Sequence, residues 1–254
     1  MPSHCEPAFP AIKALIFDVF GTLVDWRTCI AREAEHLLAP RGIRLDWLAF
    51  ADAWRAQYQP AMEEVRAGSI PFCKLDHLHR RNLDVVLTAQ ALNDIDEGTR
   101  HELTMAWHRL DAWPDVAEGL AALRTRFLLA PCSNGNISLM VDLARRNGLI
   151  WDAILGAEVA RDYKPKPGVY LSAADAFDLA PGEVMMVAAH SSDLQAAAAC
   201  GLATCFVARP DEYGPGLGEA EPDGPVDISV AHLRELAERL GCIQPDRGSR
   251  HLPD

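Results

Sequence analysis

The sequence predicts an α/β fold, a doubly wound parallel sheet interrupted by an all-helical insertion. Three observations carry that prediction. A buried-strand pattern over residues 12–18 ends on an acidic residue, the next strand-like run of comparable quality is Phe127–Ser133, and from Trp113 onward strand and helix patterns alternate. Such alternation builds parallel strands joined by crossover helices that cover both faces of a sheet.

The elements follow in order. Leu15-Ile16-Phe17 is apolar and partly β-branched, and after Asp18 the chain turns at Gly21-Thr22. Apolar residues then recur at helical spacing over 26–38, 45–66, 72–87 and 93–110, separated by Arg41-Gly42, Gly68-Ser69 and 91–94, which makes an insertion of about 85 residues. Beyond it the patterns predict helix 115–125, strand 127–133, helix 136–147 and a short strand near Ile154-Leu155. Helix 167–178, strand 184–188, helix 192–200, strand 203–207 and a last helix over about 230–240 complete the alternation. Pro and Gly make 209–225 a loop, and 243–254 is expected to fray. The sequence contains no internal repeat.

Composition narrows the function. A formal charge of −12 and the lack of any basic run argue against a nucleic-acid footprint. With 49% hydrophobic residues the chain can bury a large core, yet no apolar run approaches the roughly 20 residues needed to span a bilayer. No basic and apolar leader pattern opens the chain, so a cytoplasmic protein without membrane or nucleic-acid partners is expected. The seven cysteines are odd in number and form no C-x-x-C pair, which predicts reduced thiols. Cys132 stands beside a candidate site, so a reactive thiol is weighed there against a small buried hydrophobe.

In a doubly wound sheet, ligands collect at the carboxyl ends of the strands. Here those ends carry Asp18 with Thr22, then Ser133-Asn134-Gly135-Asn136 at a helix start, then 162–168 followed by Tyr170, then His190-Ser191-Ser192-Asp193. Each has a plain structural reading as well: Asp, Ser, Asn and Thr cap helices, and loop lysines such as Lys164 and Lys166 are usually solvated charges. Phe20, Trp26, Trp54 and Tyr58 are candidate pocket walls, although aromatics at helical spacing usually belong to a core.

These residues, taken in order, resemble the haloacid dehalogenase superfamily. Within it the chain is most similar to the type II, or L-2-haloacid, dehalogenases, whose opening D-x-[YF]-G-T-L-x-D matches Asp18 to Asp25. Trp54-Arg55, Ser133-Asn134-Gly135, Lys164-Pro165 with Tyr170, and Asp193 continue the match across essentially the whole chain. The resemblance implies a Rossmann-like α/β core of 1–25 and 112–254 and a helical cap of 26–111. It also implies a metal-free, cofactor-free hydrolysis of a small 2-haloacid, with halide as product, and a homodimer.

On that resemblance Asp18 is the nucleophile, Thr22 bonds its carboxylate, Arg55 accepts the halide, and Ser133 and Asn134 hold the substrate carboxylate. Lys164 keeps Asp18 ionised with Tyr170 beside it, and Asp193 orients Lys164 or the water. Related phosphatases carry a second Asp where this chain has Phe20, because an alkoxide leaving group needs a proton and a halide does not. They also carry a metal-binding carboxylate where this chain has Ala189. His190 departs from the Asn common in relatives, and is read as an added donor, a base for water, or a packing residue. A tight aromatic pocket favours haloacetates, fluoroacetate among them. The alternatives are a Mg²⁺-dependent phosphatase of the same superfamily and a catalytically idle binding protein on this scaffold.

Overall fold

The computed structural model describes residues 12–244. Six parallel strands form one sheet in the order β3-β2-β1-β4-β5-β6. They are β1 (Ala14–Phe17), β2 (Leu128–Ser133), β3 (Leu155–Gly156), β4 (Val184–Ala188), β5 (Ala203–Val207) and β6 (Ile228–Val230). β1 is central, with Phe17 beside Pro131 of β2 on one edge and Val187 of β4 on the other. The connection reverses direction across β1, so the ends of β1, β2 and β4 open together at a switch point.

The alternation of β1 explains why it is apolar throughout. Leu15 and Phe17 point into one core cluster while Ala14 and Ile16 point into the other, so both faces of the strand are covered. One layer includes α6 (Val116–Leu123), α7 (Ile137–Asn147) and α11 (Leu233–Arg239). The other includes α9 (Pro167–Asp175) and α10 (Ser191–Ala199). The four-residue α8 (Ala157–Ala160) falls between β3 and α9.

Between β1 and α6 lies the helical cap: α1 (Trp26–Leu38), α2 (Trp47–Ala56), α3 (Tyr58–Arg66), α4 (Leu75–Ala89) and α5 (Glu97–Thr104), followed by a 3-10 turn over Met105–Arg109. Asp25, Asp46 and Asp96 start α1, α2 and α5 by accepting the backbone N–H three residues on at 2.9–3.0 Å. The single helix expected over 45–66 is two helices meeting at Gln57. Pro60 has no N–H to offer the Ala56 carbonyl, which breaks the ladder there. The helix expected over 93–110 likewise closes as α5 plus the 3-10 turn, and β6 and α8 are elements the sequence pattern did not suggest.

Cap and core are stitched at their seam. Arg66 donates to the Lys164 carbonyl at 2.8 Å and the Tyr163 hydroxyl donates to the Cys73 carbonyl at 2.8 Å. Asn136 donates to Asp76 at 2.9 Å, and His108 stands between Asp76 and Asp142 at 3.1 and 2.7 Å. The expected fraying beyond 244 lies outside the described residues.

Candidate active site

Asp18 is the first residue past β1, buried and facing a cavity of about 440 Å³ between core and cap. Its Oδ1 accepts from the Lys164 ammonium at 2.8 Å. Oδ2 accepts from the Thr22 hydroxyl at 2.7 Å and faces His190 Nδ1 at 3.2 Å. Thr22 is held in turn by the Ala189 N–H, which donates to its Oγ1 at 2.9 Å and leaves the hydroxyl proton for Asp18. Burial on its own would raise the Asp18 pKa, but the Lys164 charge and the His190 contact outweigh it and hold the carboxyl well below the usual range.

Lys164 is buried, and its ammonium bridges Asp18 and Asp193, the latter at 2.6 Å. Desolvation opposes its charge, yet the two carboxylates raise its pKa well above the ordinary lysine value. The second oxygen of Asp193 accepts from the Tyr170 hydroxyl at 2.5 Å, so both oxygens of Asp193 are engaged. Asp193 is thereby placed to orient Lys164. Lys166, the competing cation, is exposed.

Arg55 reaches the cavity from α2. Its guanidinium carbon sits 4.0 Å from the Tyr58 ring centre, 5.2 Å from Trp26 and 5.9 Å from Phe20. Its Nη1 is buried without a hydrogen-bond partner among the described residues. Desolvation opposes this charge as well, but nearby Tyr58, Tyr213, Glu212 and Asp18 raise the pKa, so the cation persists. Phe20 lines the cavity and packs edge-on against Trp107 and Tyr58, with ring centres 5.8 and 6.3 Å away.

Three sequence expectations are corrected. Trp54 is not a cavity wall: it is buried behind the lining, its Nε1 donating to the His79 carbonyl at 3.0 Å and its ring against Trp107. Ser133 does not line the cavity either: it is fully buried, and its hydroxyl accepts from the Gly135 N–H at 3.0 Å and braces the loop. The start of α7 is also less open to an anion than expected, since the Ile137 N–H donates to Glu158 at 2.7 Å. Asn134 remains in the lining, its Oδ1 accepting the Lys164 N–H at 2.9 Å. Cys132 is fully buried, and burial pushes its thiol up to about 12, which favours the hydrophobe over the reactive nucleophile.

The geometry thus places a desolvated carboxylate opposite a caged guanidinium with a spare N–H, in one cleft. A family model described as a haloacid dehalogenase-like hydrolase matches residues 12–201. The chain belongs to the haloacid dehalogenase-like hydrolases. Among curated relatives, this hydrolase is 31% identical to (S)-2-haloacid dehalogenase 1 of Pseudomonas sp. (strain CBS-3), over 80% of the chain and 88% of the relative. Its structure is similar to that of the defluorinating L-2-haloacid dehalogenase Rha0230, with a TM-score of 0.88 and 46% identity, covering 90% and 95% of the two chains. The L-2-haloacid dehalogenase PA0810 matches with a TM-score of 0.87 and 44% identity, covering 91% and 100%.

Three residues lining this hydrolase's cavity, and one buried behind it, had no sequence signal behind them. Gln59 comes from the cap, Tyr213 and Glu219 from the Pro- and Gly-rich loop expected only to connect β5 to the last elements, and Glu212 of the same loop stands behind His190. Glu212 is buried, takes the Trp26 Nε1–H at 2.9 Å and faces His190 Nε2 at 2.8 Å. The loop's length was the available hint, since long ordered loops commonly carry function.

Proposed function

We propose that this chain hydrolyses short 2-haloalkanoic acids to 2-hydroxy acids through an ester on Asp18. The observation that carries the reading is the pairing of Asp18 with Arg55 across one cavity, with apolar Phe20 where a proton donor would otherwise stand. A halide is a weak base, so its departure requires an anion-stabilising site and no acid. The unpartnered Nη1 of Arg55, set among Tyr58, Trp26 and Phe20, is such a site. A phosphate ester would leave an alkoxide that Phe20 cannot protonate.

Asp18 attacks the carbon that bears the halogen, the C–X bond breaks, and halide leaves toward Arg55. Covalent catalysis by a carboxylate splits the displacement into two easier steps. Water then cleaves the ester at the Asp18 carbonyl carbon, so the hydroxyl oxygen of the first product molecule comes from Asp18. Lys164 keeps the nucleophile ionised before the first step. The core of 1–25 and 112–254 supplies nucleophile, lysine and Asn134, while the cap of 26–111 supplies Arg55 and the aromatic wall. The names of the similar (S)- and L-2-haloacid dehalogenases support the (S)-enantiomer as the chiral substrate. The defluorinating relative makes fluoroacetate worth including in the assay.

Halide release is the test. Chloroacetate, fluoroacetate and each 2-chloropropionate enantiomer are incubated with the protein and EDTA, with a phosphate ester and Mg²⁺ in parallel. Halide release that is lost in Asp18→Asn, and unlabelled product from a single turnover in ¹⁸O-water, are the expected results. Phosphate release alone, or label entering product directly in that turnover, would overturn the reading.

A further inference from the structure

His190 has an acceptor on each side. Nδ1 faces Asp18 Oδ2 at 3.2 Å and Nε2 faces Glu212 Oε2 at 2.8 Å. Two carboxylates can both be served only by an imidazole with a proton on each nitrogen. Glu212 is held in place for this: its other oxygen takes the Trp26 indole N–H, and its carboxylate packs over Gly21 in the turn after Asp18. The loop that carries it is tied to the same turn by Arg209, which donates to the Thr22 carbonyl at 2.8 Å and to Asp115 at 2.9 Å.

The two oxygens of Asp18 are then unequal. Among the described residues Oδ2 accepts from two donors, Thr22 and His190, whereas Oδ1 accepts from Lys164 alone and keeps a lone pair for attack. Resting on Asp18 as the nucleophile, we infer that Glu212 is a positioning residue that keeps His190 a donor at both nitrogens, so that Thr22 and His190 form an oxyanion hole at Oδ2 for hydrolysis of the ester on Oδ1.

The atoms balance on this route. Oδ1 bonds to substrate carbon as C–X breaks and halide takes the electron pair. Water adds to the Asp18 carbonyl carbon, and the π pair moves onto Oδ2 between the Thr22 hydroxyl and His190 Nδ1–H. Collapse breaks the bond to Oδ1, which leaves as the product hydroxyl with one proton of the water. The other proton goes to solvent and the carboxylate is restored. Preorganised donors aimed at a developing oxyanion act most strongly in a buried site.

The surrounding charges leave this task to Glu212. Asp193 takes both Lys164 and Tyr170, Arg55 and Tyr58 stack in the cap, Glu219 accepts from Ser191, and Tyr213 rests on Trp26 beside Glu212. Burial alone would lower the His190 pKa, but the bonds to Asp18 and Glu212 outweigh it and push it up to about 10. A base role for His190 would need the opposite protonation state.

Glu212→Gln tests the inference by rapid-quench halide kinetics, intact-protein mass spectrometry and a pH series with chloroacetate. The expected result is a halide burst in the variant, steady-state kcat lower by about 10²-fold, and ester accumulating on the protein. The loss should deepen as pH rises above neutral, Glu212→Asp should restore the profile, and adding Glu212→Gln to His190→Asn should change little. Burst and turnover falling together without ester, or an unchanged pH profile, would overturn it. Should Glu212→Gln unfold, ester accumulation in His190→Asn decides the question, and its absence would equally overturn the oxyanion role. Label entering the product directly in a wild-type single turnover in ¹⁸O-water would instead remove the ester on Asp18, a failure of the underlying reading.

Discussion

Gly21 and Glu212 occupy adjoining space: a Cβ built on Gly21 would overlap the Glu212 carboxyl group. Gly21 also sits at φ +85°, in the left-handed region. A sequence-distant loop residue thus completes the turn that carries the nucleophile, and the glycine of that turn is what admits it.

Gly21→Ala should therefore cost more than a typical positive-φ substitution. The strain alone exceeds about 1 kcal/mol, and Glu212 must also leave Trp26 or His190. Urea unfolding should show the destabilisation, and halide release should fall with it. A variant as active and as stable as wild type would show that Glu212 moves aside freely.

Lys164→Met removes the cation shared by two buried carboxylates. Leaving a buried charge unpaired costs about 3–5 kcal/mol, so a large drop in urea midpoint is expected together with loss of halide release. If stability stayed within about 1 kcal/mol of wild type, the bridge between Asp18 and Asp193 would not be the support described.

Arg55→Lys keeps a charge but loses the planar group that stacks on Tyr58 and carries the unpartnered Nη1. Steady-state kcat should fall by about 10²- to 10³-fold. The loss should be greatest for fluoride, the leaving group most dependent on donors. An equal kcat would place halide stabilisation elsewhere.

His190 and Asp18 set opposite edges of a pH window for stability. The His190 pKa is raised from 6.5 to about 10, so its contribution is complete below the lower value and is lost as pH rises through the upper one. The Asp18 pKa is lowered from 3.8, so its contribution is complete above that value and is lost only as pH falls beneath it. The unfolding free-energy gap between wild type and His190→Asn should be widest near pH 6 and close by about pH 10 to 11. A gap independent of pH would show that folding does not raise the His190 pKa.

The sheet was largely legible because a buried parallel strand has no polar face, and Leu15–Phe17 and Val184–Ala188 read as continuous apolar runs. Asp18, Thr22, Lys164, Tyr170 and Asp193 converge because their motifs sit at strand ends that register alignment brings level. Trp54 was misplaced because helical spacing says which face is apolar but not which aromatic meets the cavity. The break at Gln57 follows from Pro60, which the spacing of apolar residues does not register. Glu212 had no motif at all, since its place depends on a tertiary fit to Gly21 and Trp26 that no local pattern encodes.

The charges gathered round Asp18 also govern how substrate arrives. Asp18, Asp193 and Glu212 are opposed by Lys164, His190 and Arg55, with Glu219 a further anion in the lining. Such a cluster projects no positive field, and the chain as a whole carries −12. A haloacid anion is thus not drawn in from a distance but captured at short range, and added salt, by screening the repulsion, should leave kcat/KM unchanged or raise it.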